Sequence, residues 1–212
     1  MLKAIYSDTT VSPYLGFKGG TATLLFYDLD RFSVDLDFDL LDITKEEFVF
    51  DKVSKIVSKF GELKEATIKR FNIFYLVSYE NGERNIKVEI NRRIFDSRYE
   101  IKTYLGVSMQ VMVKEDMFAH KLMAMYERME KTSRDIYDVN FFLKKRFSIN
   151  QEIIVARSKM SFDKFIEKCI KKLKKYNSKN ILNGLGELIT PFQKDEVKAK
   201  LVEETIQLLE LR

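Results

Sequence analysis

The chain has 212 residues, 45% of them hydrophobic and 33% charged, with 8 Gly, 2 Pro, a single Cys, a single His and a net charge of +5. This composition excludes a disordered chain and allows one large or two small domains with an ample core. No apolar run approaches the roughly 18 residues of a membrane span, residues 1–10 lack a basic-then-apolar export signal, and the lone Cys169 excludes an internal disulfide, so a cytoplasmic protein that makes no membrane contact is expected.

In chain order, a short apolar segment at residues 14–17 leads into Lys18-Gly19-Gly20, and residues 21–27 read as a helix. Glycine permits a sharp turn and close approach of a ligand to the main chain, and the N–H groups at a helix start favour phosphate oxygens. Paired glycines also serve as plain turns. Next, Val34, Leu36 and Phe38 alternate with Ser33, Asp35, Asp37 and Asp39, the period of a strand with one apolar and one acidic face. Asp35 and Asp37 then project the same way, roughly 7 Å apart. Like charges so placed repel unless a cation lies between them. With one Cys and one His a zinc site is not expected, and oxygen ligands suit magnesium. A calcium loop built on Asp35, Asp37, Asp39 and Glu46 fails because Leu40 occupies the position that needs glycine.

Thr44 and Glu47 form a capping-box pattern that opens a helix running toward Lys59 and ending at Gly61. Residues 66–79 read as one or two strands, Asn81-Gly82 as a hairpin turn, residues 83–91 as the returning strand and residues 107–113 as a last strand. Glu89, on the polar face of the returning strand, is the natural third carboxylate. Three carboxylates can hold two magnesium ions that activate an attacking oxygen and neutralise pyrophosphate.

From residue 115 the pattern is helical: 115–130, 133–145, 151–157, 162–176 and 195–211, with Thr190-Pro191 as the break before the last. Lys121 rises from an apolar stripe of Met117, Phe118, Ala124 and Met125, so it must snorkel to water or meet an anion. Arg134 and Asp138 are four apart on one helix face and suit an intrahelical pair. Alternatively, Asp135 or Asp138 orients Lys121. His120 is given no role. Residues 159–179 hold eight lysines against Asp163 and Glu167, a local charge of +6, so the rest of the chain sums to −1. Their periodicity sets the lysines on the outside of an amphipathic helix, either as a solvated face or as a phosphate-backbone footprint for a nucleic acid.

Taken together, Lys18-Gly-Gly-Thr21, Arg31-Phe-Ser-Val-Asp-Leu-Asp-Phe38, Lys121-Leu122 and Arg134-Asp-Ile-Tyr-Asp138 resemble the AbiEii/AbiGii-type nucleotidyltransferase toxin family from about Phe17 to Phe142. The pattern of elements reads as an α+β half over residues 1–114 followed by a helical half over 115–212, and the resemblance implies that the first is a polymerase-β-like nucleotidyltransferase core with a mixed sheet. By position, Lys18, Gly19, Gly20, Thr21 and Ser33 would border the triphosphate, and Asp35, Asp37 and Glu89 would bind magnesium. Lys121 and Asp138 or Asp135 would complete the catalytic set. Thr23 departs from the apolar residue common at its position. The implied activity is transfer of a nucleoside monophosphate from an NTP, with release of pyrophosphate. The acceptor would be RNA, at family level a tRNA 3′ end, and the partner a cognate antitoxin. Nucleotidylation of a protein hydroxyl, or glycosyl transfer from a nucleotide sugar through the Asp-x-Asp pair, are the alternatives.

Overall fold

The computed structural model describes residues 1–79 and 85–212, so the Asn81-Gly82 turn lies outside the described residues. The chain divides into two compact units. One comprises residues 1–28 and 33–113, the other residues 29–32 and 114–212.

The first unit carries α1 (Leu2–Ser7), β1 (Leu15–Lys18), α2 (Gly19–Tyr27), β2 (Leu36–Leu40), α3 (Glu46–Val57), β3 (Glu62–Ile68), β4 (Asn72–Ser78), β5 (Ile86–Asn91), β6 (Tyr99–Tyr104) and β7 (Val107–Met112). The strands form one mixed sheet in the order β3-β4-β5-β2-β1-β7-β6. β1 runs antiparallel to β2 and parallel to β7, while β2 runs parallel to β5.

Register sorts the side chains. Ile73, Ile90, Phe38, Phe17 and Val111 pair in a row across five strands, and none of them is exposed. The Phe17 and Phe38 rings lie 5.3 Å apart, and the buried Ile5, Val49, Val53 and Val57 of α1 and α3 add to this core. One residue along each strand, the next row is Phe74, Glu89, Asp37 and Lys18. Because side chains alternate across a strand, this row lies on the opposite face from the phenylalanines.

Three elements were not expected as such: the short α1, the strand β1 within the apolar segment that leads into the glycines, and the edge strand β6. β6 is joined to β7 by Leu105 and Gly106, whose φ values are +50° and +77°. Two positive φ values match the right-handed twist of a hairpin, a role that usually falls to Asn-Gly rather than Leu-Gly. The expected capping box at Thr44 is also absent: Asp42 caps a short 3₁₀ turn through the Thr44 N–H, and α3 begins after it without a side-chain cap.

The second unit holds α4 (Lys114–Arg128), α5 (Arg134–Lys144), α6 (Gln151–Ser158), α7 (Phe162–Leu173) and α8 (Pro191–Glu210). Phe118 and Phe142 stack at 5.0 Å in its core. α8 begins at Pro191, earlier than expected, because Thr190 and Gln193 form a full capping box with proline in the first turn. Residues 29–32 belong to this unit through buried Leu29 and the Phe32 N–H, which donates to the Leu188 carbonyl at 2.8 Å. Among the described residues no helix is long and apolar enough to cross a membrane.

Leu105 is 64% exposed, so its side chain contributes little packing to offset its strained backbone. Leu105→Asn should therefore raise the stability of the first unit by about 0.5–1 kcal/mol, read as a higher melting temperature by calorimetry.

Candidate active site

β1 ends at Lys18, and α2 starts at once with Gly19 at φ +81°. A Cβ built on Gly19 would collide with the Asp37 carboxylate and lie 2.7 Å from the Asp37 Cβ. Glycine is thus needed here twice, for its backbone angle and for the space that Asp37 occupies. The second turn of α2 is tied back to the first by Thr23, whose hydroxyl donates to the Gly19 carbonyl at 2.8 Å. Thr21 does the same for the segment before β2: its hydroxyl donates to the Asp35 carbonyl at 2.5 Å and lies 3.1 Å from the Ser33 hydroxyl. Gly20 and Thr21 are buried.

Asp37 and Glu89 are register partners on parallel strands, about 4.8 Å apart in backbone spacing. Both are half-buried. Glu89 accepts a 2.9 Å hydrogen bond from the Asn72 amide, which aims it along the same face. Asp35 lies outside β2, before its first residue, and its carboxylate accepts from the Lys87 N–H at 3.2 Å. Val34 is 37% exposed instead of forming part of the apolar face. Among the described residues no three Asp, Glu, His or Cys side chains converge into a ready metal cage. The donor set still fits a hard cation: Asp37 and Glu89, both oxygen donors, are abreast in strand register, and the space beside Asp37 is one that a Cβ on Gly19 would fill.

Asp39 differs from expectation. Instead of joining the acidic face in water, it is 6% exposed and fully engaged. Lys18 meets it at 2.5 Å, the Asn91 amide at 2.6 Å and the Tyr99 hydroxyl at 2.6 Å. Burial alone would raise its carboxyl pKa, but the Lys18 ammonium and these three hydrogen bonds outweigh burial and hold it below the usual carboxylate range. The Tyr99 ring reaches Asp39 across Gly16, where a Cβ would strike the ring. Lys18 therefore sits beside the glycine turn with its charge already paired.

Within the helical unit, Asp138 is wholly buried. The Arg31 Nε and Nη2 donate to its two oxygens at 2.5 and 2.7 Å, and Lys121 Nζ lies 2.6 Å from Oδ2. Asp138 is thus the anion that Lys121 meets, and Arg31 takes the place expected for Arg134. Asp135, also buried, pairs with Arg128 at 2.6 Å. The His120 ring lies 2.8 Å from the Arg157 guanidinium. Burial pushes the Asp138 carboxyl up, but the two cations overcome that and hold it far below its ordinary value. On α7 the aromatic Phe165 faces the core, while Lys164, Lys168 and Lys171 are exposed, as is Lys175 just after the helix. Lys172 donates to the Tyr126 carbonyl at 2.8 Å and Lys174 pairs with Glu210.

Two outcomes follow. Gly19→Ala should displace Asp37 and destabilise the first unit by about 1–3 kcal/mol, measurable by denaturant unfolding. Asp138, whose folded-state pKa is depressed, contributes stability that is complete above its unfolded value of about 3.9 and is lost as pH falls below it. The melting temperature should therefore drop steeply below about pH 4, and Asp138→Asn should flatten that dependence while lowering stability at neutral pH by about 3–5 kcal/mol.

The model of the AbiEii toxin nucleotidyltransferases, of type IV toxin–antitoxin systems, matches residues 1–207. Two solved structures from Helicobacter pylori share the fold. One, named as a candidate nucleotidyltransferase, has a TM-score of 0.66 and 23% identity over 99% of this chain and 90% of its own. The other, JHP933, has a TM-score of 0.65 and 22% identity over 99% of this chain and 88% of its own. No curated protein matches the chain. A glycine turn seated on Asp37, a register-matched Glu89 and a family match along nearly the whole length lead to one conclusion: the chain belongs to the AbiEii toxin family of nucleotidyltransferases.

Proposed function

We propose that this nucleotidyltransferase moves a nucleoside monophosphate from an NTP to an RNA hydroxyl, a tRNA 3′ end being the family-level acceptor, and releases pyrophosphate. The observation that carries this reading is the Gly19–Asp37 fit beside the Asp37–Glu89 register, which joins a helix N-terminus to a carboxylate pair. The N–H groups of a helix start suit triphosphate oxygens, and Gly19, with no side chain, lets a ligand approach the backbone at the start of α2. Asp37 and Glu89, with Asp35 beside them, are the residues that would hold magnesium. Magnesium bound there would neutralise triphosphate charge and make the acceptor hydroxyl more acidic.

In this reading Glu89, hydrogen-bonded by Asn72, would take the acceptor proton as the hydroxyl oxygen forms its bond to the α-phosphorus and the bond to pyrophosphate breaks. Ser33 and Thr21 border the same turn, and Lys18, paired with Asp39, supplies positive charge next to it. Lys121 and Asp138 are the proposed further members, supported by the family motif and by their 2.6 Å ion pair. The exposed lysines of residues 159–179 suit a phosphate backbone. A cognate antitoxin is the partner implied by a type IV system.

The test is incubation with each α-labelled NTP, magnesium and total RNA. Label should enter RNA with the wild-type protein, and Asp37→Ala should reduce incorporation by at least about a hundredfold. Absence of label in RNA with every NTP would contradict the reading, and label in a protein band would redirect it to a protein hydroxyl.

A further inference from the structure

The β3–β4 turn and the segment following β5 bring alternating aromatic and guanidinium groups together at one end of the sheet. The Arg70 guanidinium lies 4.9 Å from the Phe71 ring centroid, and that of Arg93 lies 5.3 Å from both Phe71 and Phe95. The sequence is therefore Arg70, Phe71, Arg93, Phe95, a ladder of flat groups. Phe71 is 49% and the neighbouring Ile94 73% exposed, so the ladder is open to solvent. Among the described residues, Lys69 is paired with Glu65 and Arg92 with Glu46, whereas Arg70 and Arg93 have no carboxylate partner.

The turn is also held in shape. Arg92 donates from its backbone to the Phe71 carbonyl at 2.9 Å and from its guanidinium to the Lys69 carbonyl at 2.7 Å. The Lys69 N–H donates to the Asn72 carbonyl at 2.8 Å. A rigid platform loses little freedom when a ligand settles on it.

Two chains of contacts join this platform to the proposed site. Phe71 is followed directly by Asn72, whose amide aims Glu89. Arg93 donates from Nε to the Asn91 side chain at 3.0 Å, Asn91 donates to Asp39, and Asp39 holds Lys18 at the glycine turn. Aromatic rings and guanidinium planes are what unpaired bases stack on, and free guanidinium charge is what phosphates seek. α7 differs: its exposed face offers ammonium groups without an aromatic among them, so it suits a backbone of either strandedness.

We propose that the Arg70–Phe71–Arg93–Phe95 ladder is the surface on which unpaired bases of a single-stranded RNA stack as the strand approaches the carboxylate pair. The proposal rests on the transferase reading for its direction but not for its binding chemistry.

The experiment is fluorescence anisotropy of a labelled oligouridylate, alone and annealed to oligoadenylate, over a range of salt. Wild type should bind the single strand, and Phe71→Ala should weaken that binding about tenfold with the salt slope unchanged. Arg93→Lys should weaken it comparably while keeping the slope, because the charge stays and the plane is lost. Duplex binding should be the same for wild type and Phe71→Ala. A Lys168→Ala/Lys171→Ala variant should lower the salt slope for both strand forms. No single-strand binding by wild type, equal affinity in Phe71→Ala, or an equal loss on duplex would overturn the proposal. Nucleotide binding, titrated in parallel, should be unchanged in Phe71→Ala. If stacking loss appears while no nucleotide is transferred, the platform stands and the transfer reading falls.

Discussion

The backbone register shared by β1, β2 and β5 is the constraint on which the rest depends. It pairs Phe17 with Phe38 and Ile90 on one face, and the next row places Lys18, Asp37 and Glu89 on the other. A slip of one residue would put the phenylalanines in water and the acids in the core. The burial that stabilises the sheet therefore also fixes which carboxylates stand side by side. Gly19 completes the arrangement, since its missing side chain lets α2 begin against Asp37.

Charge is then divided between two carboxylates two residues apart on β2. Asp39 is saturated by Lys18, Asn91 and Tyr99, and its role is structural: it anchors a lysine at the turn. Asp37 lies half-buried beside Glu89, on the face that the glycine turn leaves open. Similar chemistry within one strand acquires different functions because Gly16 admits a tyrosine ring over one position while Gly19 admits a helix start beside the other. In the helical unit, Asp138 again shows a buried carboxylate held by two cations, Arg31 and Lys121.

What the sequence made legible is what short-range periodicity controls. The alternation through residues 36–40 is a strand, the glycine pair opens a helix, and the apolar periods after residue 114 are helices. The motif spacing pointed to the family that matches residues 1–207. Longer-range features were not legible. Asp39 looks like its neighbours until Tyr99, distant in sequence, covers it. Asp138 looks like the local partner of Arg134, yet Arg31 reaches it from far earlier in the chain. β6 escaped notice because its apolar Ile101 points outward, 68% exposed, and Leu-Gly stands where a turn signal is usually Asn-Gly. The basic-aromatic ladder joins residues 70–71 to residues 93–95, and only strand pairing reveals it.

The most direct measurement is a crystal structure with manganese and a non-hydrolysable NTP, located by anomalous scattering. The expected result is a manganese peak bound by the Asp37 and Glu89 carboxylates, with triphosphate oxygens at the Gly19–Thr21 backbone. A peak on Asp39, or nucleotide bound away from the glycine turn, would contradict the assignment of Asp37 and Glu89 as the metal-bearing pair.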